Sequence, residues 1–264
     1  MAANDQFDED DKVCNTLLEL SVISAEPPMK RSLCVQCRRP SRVCWCTFLP
    51  STPLDVSCKV VILQHPAEEK RCLRTSPILE VALPKGHCIV RKGRKFSSER
   101  NNDMQDILTS QDTLVLYPGE KATDLTELPT VKSRGSPYNI VILDGTWSQA
   151  RSIFYNSKEL HGLKQVQLQP GYSSSYVIRT QPTSECLSTV ETVAVTLSYL
   201  EESPKIHELL VHPLKAMCQF QLDHGAVPHQ SKEFLIQNGL YKKPLPRKII
   251  HKVSNHEDIK HILR

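Results

Sequence analysis

The sequence predicts an α/β fold in which helices cover both faces of a mostly parallel sheet. The predicted strands are continuous apolar runs, as at residues 56–63 and 139–143, and strands buried on both faces have this pattern. Segments with helical spacing of apolar residues separate these runs along the chain. Such alternation is typical of strand–helix–strand units.

The composition is that of a soluble globular protein. The chain has 264 residues, of which 39% are apolar and 23% are charged. No run of about 18 apolar residues is present, so no membrane span is expected. The first ten residues lack the basic and apolar regions of a secretory signal. We therefore expect an intracellular protein, located in the cytoplasm, the nucleus or both.

Changes in composition predict four segments. Residues 1–28 form an acidic leader that is expected to be disordered, and residues 29–52 form a cysteine-rich metal module. Residues 53–222 form the main α/β domain, and residues 223–264 form a helical and basic extension. Strands are predicted at 56–63, 89–90, 112–117, 139–143 and 166–168. Helices are predicted at 69–83 with a break at Pro77, and at 146–155, 187–200, 204–222 and 230–240.

Four clustered cysteines predict a structural zinc site. Cys34, Cys37, Cys44 and Cys46 follow the spacing C-x2-C-x6-C-x-C, and four thiolates satisfy a tetrahedral zinc ion. Two disulfides or four free thiols are the alternatives. Other cysteines lie alone in apolar surroundings and are expected to be reduced core residues, namely Cys58, Cys88 and Cys218. Basic and aromatic residues near the cluster could also contact RNA: Arg31, Arg38, Arg39, Arg42 and Trp45.

The charge distribution favours a polyanionic partner. The net charge is +4, and the segment 85–95 contains five Lys or Arg without an acid. Seven more lie between Lys242 and Arg264, against two acids. Ordinary solvated faces are the alternative explanation for both segments.

A buried strand is followed at once by an acidic residue and a helix start. Asp144 ends the predicted strand, Gly145 allows a tight exit, and Thr146 with Gln149 predicts a capping box. Ligands of parallel α/β sheets bind beyond the carboxyl ends of the strands, so Asp144 is a candidate functional group. The alternative is that Asp144 only caps the helix and that Trp147 packs in the core.

Four motifs in order resemble those of the DTW-domain family. Asp144-Gly145-Thr146-Trp147 is similar to the signature that names the family, and the cysteine array with Arg39-Pro40 resembles its N-terminal pattern. Two further segments also resemble family motifs: Gln64-His65-Pro66 with Glu68 and Arg71, and Arg179-Thr180-Gln181-Pro182 with Leu187-Ser188-Thr189 and Glu191. The resemblance covers roughly residues 30–220.

The resemblance implies a specific reaction. Enzymes of this family transfer the 3-amino-3-carboxypropyl group of S-adenosylmethionine to N3 of uridine in the tRNA D-loop, at position 20 or 20a. Methylthioadenosine is released. The implied fold is knotted and related to that of SPOUT methyltransferases. No G-x-G-x-x-G follows a strand, which agrees with a site of non-Rossmann type. The implied partner is tRNA, and no obligate protein partner is predicted.

Physical roles can be assigned beside the resemblance. Asp144 is the candidate base for the N3 proton, or else it holds the amino group of the donor; Thr146 and Trp147 share this catalytic motif. Arg179 could bind the donor carboxylate in a bidentate manner. The other expected donor-binding residues are Tyr117, Pro182, Leu187, Ser188 and Glu191, although helix capping alone would also explain Ser188 and Glu191.

His65 and Arg71 follow the first predicted strand. Arg71 could contact substrate phosphate, whereas His65 beside a proline is more often structural.

Two other functions are alternatives to the aminocarboxypropyltransferase. A SPOUT-type RNA methyltransferase would share the fold. A zinc-containing RNA-binding adaptor without catalytic activity would share the charge distribution but would lack a pocket for S-adenosylmethionine.

Overall fold

A computed structural model describes residues 5–22, 31–99 and 101–245, and it divides the chain into two compact units. The first unit is Met1–Leu33 and carries helix α1 (Asp5–Ser21). Residues 13–22 of this unit are exposed. A helix therefore occurs within the leader that composition alone assigned to disorder, because good helix formers such as Leu17 and Leu18 follow its acidic start.

The second unit is Cys34–Arg264 and contains the sheet. Its elements agree closely with the predicted strands and with the four helices predicted after residue 145. None of the helices in the described part of the chain is long and apolar enough to cross a membrane. The elements are β1 (Lys59–Gln64), α2 (Ser76–Ala82), β2 (Cys88–Lys92), α3 (Gln105–Thr109), β3 (Thr113–Leu116), β4 (Thr123–Asp124), α4 (Val131–Arg134), β5 (Asn139–Asp144), α5 (Trp147–Asn156), β6 (Lys164–Gln167), α6 (Thr189–Leu200), α7 (Pro204–Leu222) and α8 (Lys232–Gln237).

The six strands form one sheet in the order β2-β1-β5-β3-β6-β4, and all five pairings are parallel. This confirms the predicted α/β class. Strand β4 was not predicted, because its two residues form no apolar run. The knot implied by the resemblance stays a prediction.

Both faces of the sheet are buried, which explains the continuous apolar strands. Val60 and Ile62 of β1 belong to a core that α2, α6 and α7 complete. Val61 and Leu63 point the other way, into a core with residues of α3 and α5. Successive side chains of a strand face opposite sides, so a central strand such as β1 supplies apolar residues at successive positions.

The helix predicted at 69–83 is shorter than expected. Residues Pro66–Glu68 form a 3-10 turn, and α2 begins only at Ser76. Pro77 lies in the first turn of α2 and therefore starts this helix rather than breaking it. A proline is tolerated there because the first N–H groups of a helix have no intrahelical partner.

The cysteine-rich segment is joined to the main core. Trp45 lies between Cys44 and Cys46, is 1% exposed, and belongs to the core formed with α2, α6 and α7. The expectation that Trp45 contacts RNA is therefore wrong. Burial of a large aromatic side chain against a nearby core surface stabilises the fold more than leaving it exposed to solvent.

We expect Trp45→Ala to lower the free energy of unfolding by about 3–5 kcal/mol, because a large buried aromatic is lost and a cavity remains. Val35 lies between two of the same cysteines but is 93% exposed, so Val35→Ala is the matched control. Urea denaturation of zinc-saturated proteins measures both changes. Equal stability of the two variants would show that Trp45 does not anchor the segment.

Candidate active site

A cavity of about 690 Å³ opens at the carboxyl ends of the central strands. Tyr117 follows β3, Asp144 ends β5 and Leu168 follows β6, and all three line the cavity. Lys232 and Leu235 of α8 line it from another side. This is the edge of a parallel sheet at which ligands are expected, and the volume suits a ligand of nucleoside size.

The carboxylate of Asp144 is buried and is held from two directions. It is 9% exposed, its Oδ2 accepts a hydrogen bond from Nε2 of Gln64 at 2.8 Å, and its Oδ1 accepts one from Oγ1 of Thr189 at 2.6 Å. Each carboxylate oxygen has two lone pairs, so one on each oxygen is not used by these two bonds. Asp144 is therefore fixed in orientation while it lines the cavity.

The predicted capping box after Asp144 is present. The N–H of Thr146 donates to Oε1 of Gln149 at 2.7 Å, and Oγ1 of Thr146 accepts from the N–H of Gln149 at 3.4 Å. A Cβ at Gly145 would lie 3.0 Å from Cβ of Gln149, so a larger residue here would force Gln149 to shift. Trp147 is half-buried and lines the cavity, so it is not a residue of the core.

The second signature lies on the same cavity. Arg179, Pro182, Leu187 and Ser188 all line it, although they come from a different part of the chain than Asp144. Ser188 is the N-cap residue of α6, and Trp147 begins α5. The N-termini of two helices therefore lie at one cavity, where their dipoles favour negative charge.

Glu191 stabilises the position of Ser188, which lines the cavity. Its carboxylate is 3% exposed and accepts hydrogen bonds from Ser174, from the N–H of Ser175 and from both the N–H and the hydroxyl of Ser188. These bonds tie the start of α6 to the loop at 174–175. The arrangement supports the capping alternative for Ser188 and Glu191, since their side chains bond to each other.

Tyr117 has one aromatic face covered. Its ring stacks on Phe154 with a centroid distance of 4.0 Å and an interplanar angle of 10°. Burial raises the pKa of the Tyr117 hydroxyl, so the side chain stays neutral. Tyr117 can offer a ligand its other face or its edge.

The third motif brings a buried carboxylate to the cavity. The Glu68 side chain is 5% exposed, and its Oε1 lies 3.1 Å from Nε of Arg71 and 3.9 Å from Arg179. Glu68 lines the cavity, whereas the Arg71 side chain is 41% exposed. Nδ1 of His65 accepts the N–H of Ala67, which agrees with the structural role expected for this histidine.

Sequence reasoning missed several residues of the site. Gln64 and Thr189 were quoted within motifs but were not predicted as site residues, although both bind Asp144. Gln64 is the only polar residue in the buried part of β1, and that break in an apolar strand was the available signal. Unpredicted residues that line the cavity include Tyr172, Lys232 and Tyr241, and Lys243 of the basic tail, expected to contact tRNA phosphates, lines it as well.

The basic segment at 85–95 is partly neutralised. Arg91 pairs with Asp103 and Lys92 pairs with Glu69, while Arg94 and Lys95 are exposed. In the basic tail, Lys242 and Lys243 are exposed. Arg247, Lys248 and the following residues lie outside the described part of the chain.

The four clustered cysteines have the geometry of a tetrahedral metal site. Their sulfur atoms lie within 4.8 Å of one another, with Cys34 to Cys46 at 3.8 Å and Cys37 to Cys44 at 3.7 Å. Metal–sulfur distances of about 2.3 Å in a tetrahedron place sulfurs about 3.8 Å apart. A disulfide would require about 2.05 Å, so these pairs are not bridged.

The surroundings of the cluster shift the pKa values of its cysteines in opposite directions. Arg38, directly after Cys37, has a φ of 57°, and its N–H donates to the carbonyl of Cys34 at 2.9 Å. Backbone N–H groups of Cys37 and Gln36 lower the pKa of Cys34 to about 6. By contrast, burial raises the pKa of Cys44 and Cys46 in the same cluster. Burial also raises the pKa of Cys58 to about 12 and of Cys218 to about 11, as expected for core thiols.

The chain is similar to known proteins along most of its length. It is 49% identical to tRNA-uridine aminocarboxypropyltransferase 2 of Drosophila melanogaster over 239 residues, which cover 90% of this chain and 94% of the relative. The Macaca fascicularis protein of the same name is 49% identical over 90% of this chain and 78% of its own length. tRNA-uridine aminocarboxypropyltransferase A of Arabidopsis thaliana is 26% identical over 73% of this chain and 81% of its own length.

No solved structure is significantly similar to the chain. The model of the DTW domain matches residues 31–222, a range that contains the four cysteines, the sheet and both signatures on the cavity. Because this match covers more than half of its length and the Drosophila melanogaster relative is 49% identical over 90% of it, the chain belongs to the DTW-domain family.

Proposed function

We propose that this protein is a tRNA-uridine aminocarboxypropyltransferase that uses S-adenosylmethionine as donor. The observation that carries the proposal is that both signatures, which begin 35 residues apart in the chain, meet on one cavity and are joined by the Asp144–Thr189 hydrogen bond at 2.6 Å. The names of relatives that share 49% of its residues support the same activity.

The cavity offers what the donor requires. Aromatic side chains line it at Tyr117, Trp147 and Tyr172, and they provide planes or edges for an adenine or a uracil ring. Arg179 and two helix N-termini favour the donor carboxylate. The sulfonium of the donor is a cation, and the carboxylates of Asp144 and Glu68, which line the cavity, would attract it.

The proposed transfer is a displacement at carbon. N3 of uridine loses its proton to Asp144. The nitrogen electron pair then forms a bond to the carbon of the aminocarboxypropyl chain that is attached to sulfur. The carbon–sulfur bond breaks, its electron pair stays on sulfur, and neutral methylthioadenosine leaves. A fixed carboxylate suits this step because a proton acceptor must be within hydrogen-bond reach of N3.

We also propose that the four cysteines hold a structural zinc ion. A closed four-sulfur shell has no open position for a substrate, so the metal stabilises the fold and takes no part in the transfer. Because Trp45 anchors the same segment in the core, the metal would fix that surface of the domain. We expect the protein to act in the cytoplasm or the nucleus.

The transferase proposal is tested by incubating the protein with unmodified tRNA and S-adenosylmethionine. Mass spectrometry of the digested tRNA should reveal 3-(3-amino-3-carboxypropyl)uridine in the D-loop. A methylated nucleoside instead would identify a methyltransferase. Binding of tRNA without donor binding or modification would identify an adaptor.

Asp144→Asn should lower the transfer rate about 10²- to 10⁴-fold if Asp144 is the base, because the amide cannot accept the N3 proton. Donor affinity stays normal for a pure base and falls if Asp144 holds the donor amino group. Asp124 also ends a strand and accepts a hydrogen bond from Gln167 at 3.0 Å, so Asp124→Asn is the control. A folded Asp144→Asn protein with normal activity would exclude both roles.

Purified protein should contain about one zinc per chain, as the four-thiolate site requires. Cys37→Ser should lose zinc and melt at a lower temperature. Cys72→Ser is the control, since Cys72 is exposed and separate from the cluster. Elemental analysis and thermal denaturation measure both properties, and full zinc content in Cys37→Ser would contradict the assignment.

Truncation after Leu240 should weaken tRNA binding and reduce its salt dependence. For each phosphate that the basic tail neutralises, its removal should lower the slope of log affinity against log salt by roughly 0.7 to 0.9. Lys205→Gln, a change at an exposed lysine of α7, is the control. If the slope of the truncated protein equals that of the full chain, the tail does not bind tRNA.

A further inference from the structure

Glu68 is a buried carboxylate with an incomplete set of hydrogen bonds. Its side chain is 5% exposed, and within the described residues no hydrogen bond reaches the buried atom Oε1. Nε of Arg71 lies 3.1 Å from this oxygen but is not oriented to donate to it, and Arg179 is more distant at 3.9 Å. A buried carboxylate oxygen that lacks a donor is costly, so it requires an explanation.

The position of Glu68 explains the missing hydrogen bond, because the residue lines the cavity. The backbone fixes it there. Glu68 belongs to the short turn that follows β1, and its N–H donates to the carbonyl of His65 at 2.9 Å. A donor group of a bound ligand can therefore complete its hydrogen bonds. Since the carboxylate is anionic and buried, an ammonium group is the best match.

Asp144, the other buried acid on this cavity, differs in one respect. Both of its oxygens already accept hydrogen bonds, from Gln64 and from Thr189. The cavity thus contains one carboxylate with a donor on each oxygen and one carboxylate whose Oε1 lacks a donor. The latter has the greater need of a cationic ligand.

Arg179 supplies the complementary charge. It lines the cavity, its side chain is 34% exposed, and its guanidinium approaches Oε1 of Glu68 without reaching hydrogen-bond distance. An acid and a base side by side, each with hydrogen-bonding capacity left, match the ammonium and the carboxylate of one α-amino acid. A single charge of either sign would not engage both groups.

We propose that Glu68 and Arg179 bind the amino-acid end of the donor, with Glu68 accepting from its ammonium group and Arg179 donating to its carboxylate. This assignment rests on the proposed transferase function and deepens it. It leaves Asp144 free to accept the proton from N3. The two residues would also orient the aminocarboxypropyl chain, which is the group that the proposed reaction transfers.

Three adenosyl ligands separate the two interactions. S-Adenosylhomocysteine carries both amino and carboxyl groups, S-adenosyl-3-thiopropylamine carries only the amine, and methylthioadenosine carries neither. Isothermal titration calorimetry with the full chain measures their affinities. Glu68→Gln should weaken the binding of the first two ligands about 10- to 100-fold, as expected for loss of a charge-assisted hydrogen bond. It should leave the affinity for methylthioadenosine unchanged. Arg179→Gln should weaken the binding of S-adenosylhomocysteine only.

Glu69→Gln is the matched control. Glu69 is the next residue in the chain, its side chain is 52% exposed, and it pairs with Lys92 rather than lining the cavity. We expect its affinities to equal those of the unmodified protein. If Glu68→Gln does not fold, Glu68→Asp withdraws the carboxylate by one methylene and should produce the same selective loss.

Two results would overturn the assignment while the proposed function stands. Glu68 variants could bind all three ligands normally, or they could lose affinity for methylthioadenosine to the same degree, which would indicate a purely structural role. A different result identifies failure of the function itself: the unmodified chain would then bind none of the adenosyl ligands, and the assignment would fail with it.

Discussion

The carboxylate of Asp144 holds three separate parts of the chain at one point. It ends β5, it bonds to Gln64 at the end of the neighbouring strand β1, and it bonds to Thr189 in the first turn of α6. The cavity exists because these parts meet there. Asp144 and Gln64 are buried and Thr189 is half-buried, so movement of Gln64 or Thr189 would remove a donor from a buried carboxylate oxygen of Asp144.

Several other bonds give the cavity the same rigidity. Glu191 connects the start of α6 to Ser174 and Ser175, and the N–H groups of Lys232 and Glu233 bond to the carbonyls of Gln181 and Pro182. The second signature is thus fixed by α6 on one side and by α8 on the other. Rigid support of this kind holds the reacting groups in place before the substrate binds, which is where much of the catalytic advantage of an enzyme arises.

The sheet was predictable from sequence because burial on both faces requires continuous apolar strands, as at 139–143. The capping box at Thr146 followed from local spacing alone. By contrast, the short helix α2, the burial of Trp45 and the partners of Asp144 depend on tertiary contacts, which local patterns do not encode. The same limit applies to Glu191: its spacing from Ser188 predicted a cap, but its bonds to residues 174–175 bridge a loop.

The proposed reaction also explains why two buried acids belong in one cavity. The donor is a sulfonium cation, and Asp144 begins as an anion; after transfer, methylthioadenosine is neutral and Asp144 carries the proton. One positive and one negative charge therefore disappear together. Exclusion of water by the bound substrates would favour such a step, because charges that are poorly solvated in the reactants are absent from the products. In the proposed assignment, the ammonium group that Glu68 binds is unchanged by the transfer. The total charge of the site is therefore the same at the start and at the end, and the amino-acid chain can be held while its bond to sulfur is exchanged for a bond to nitrogen.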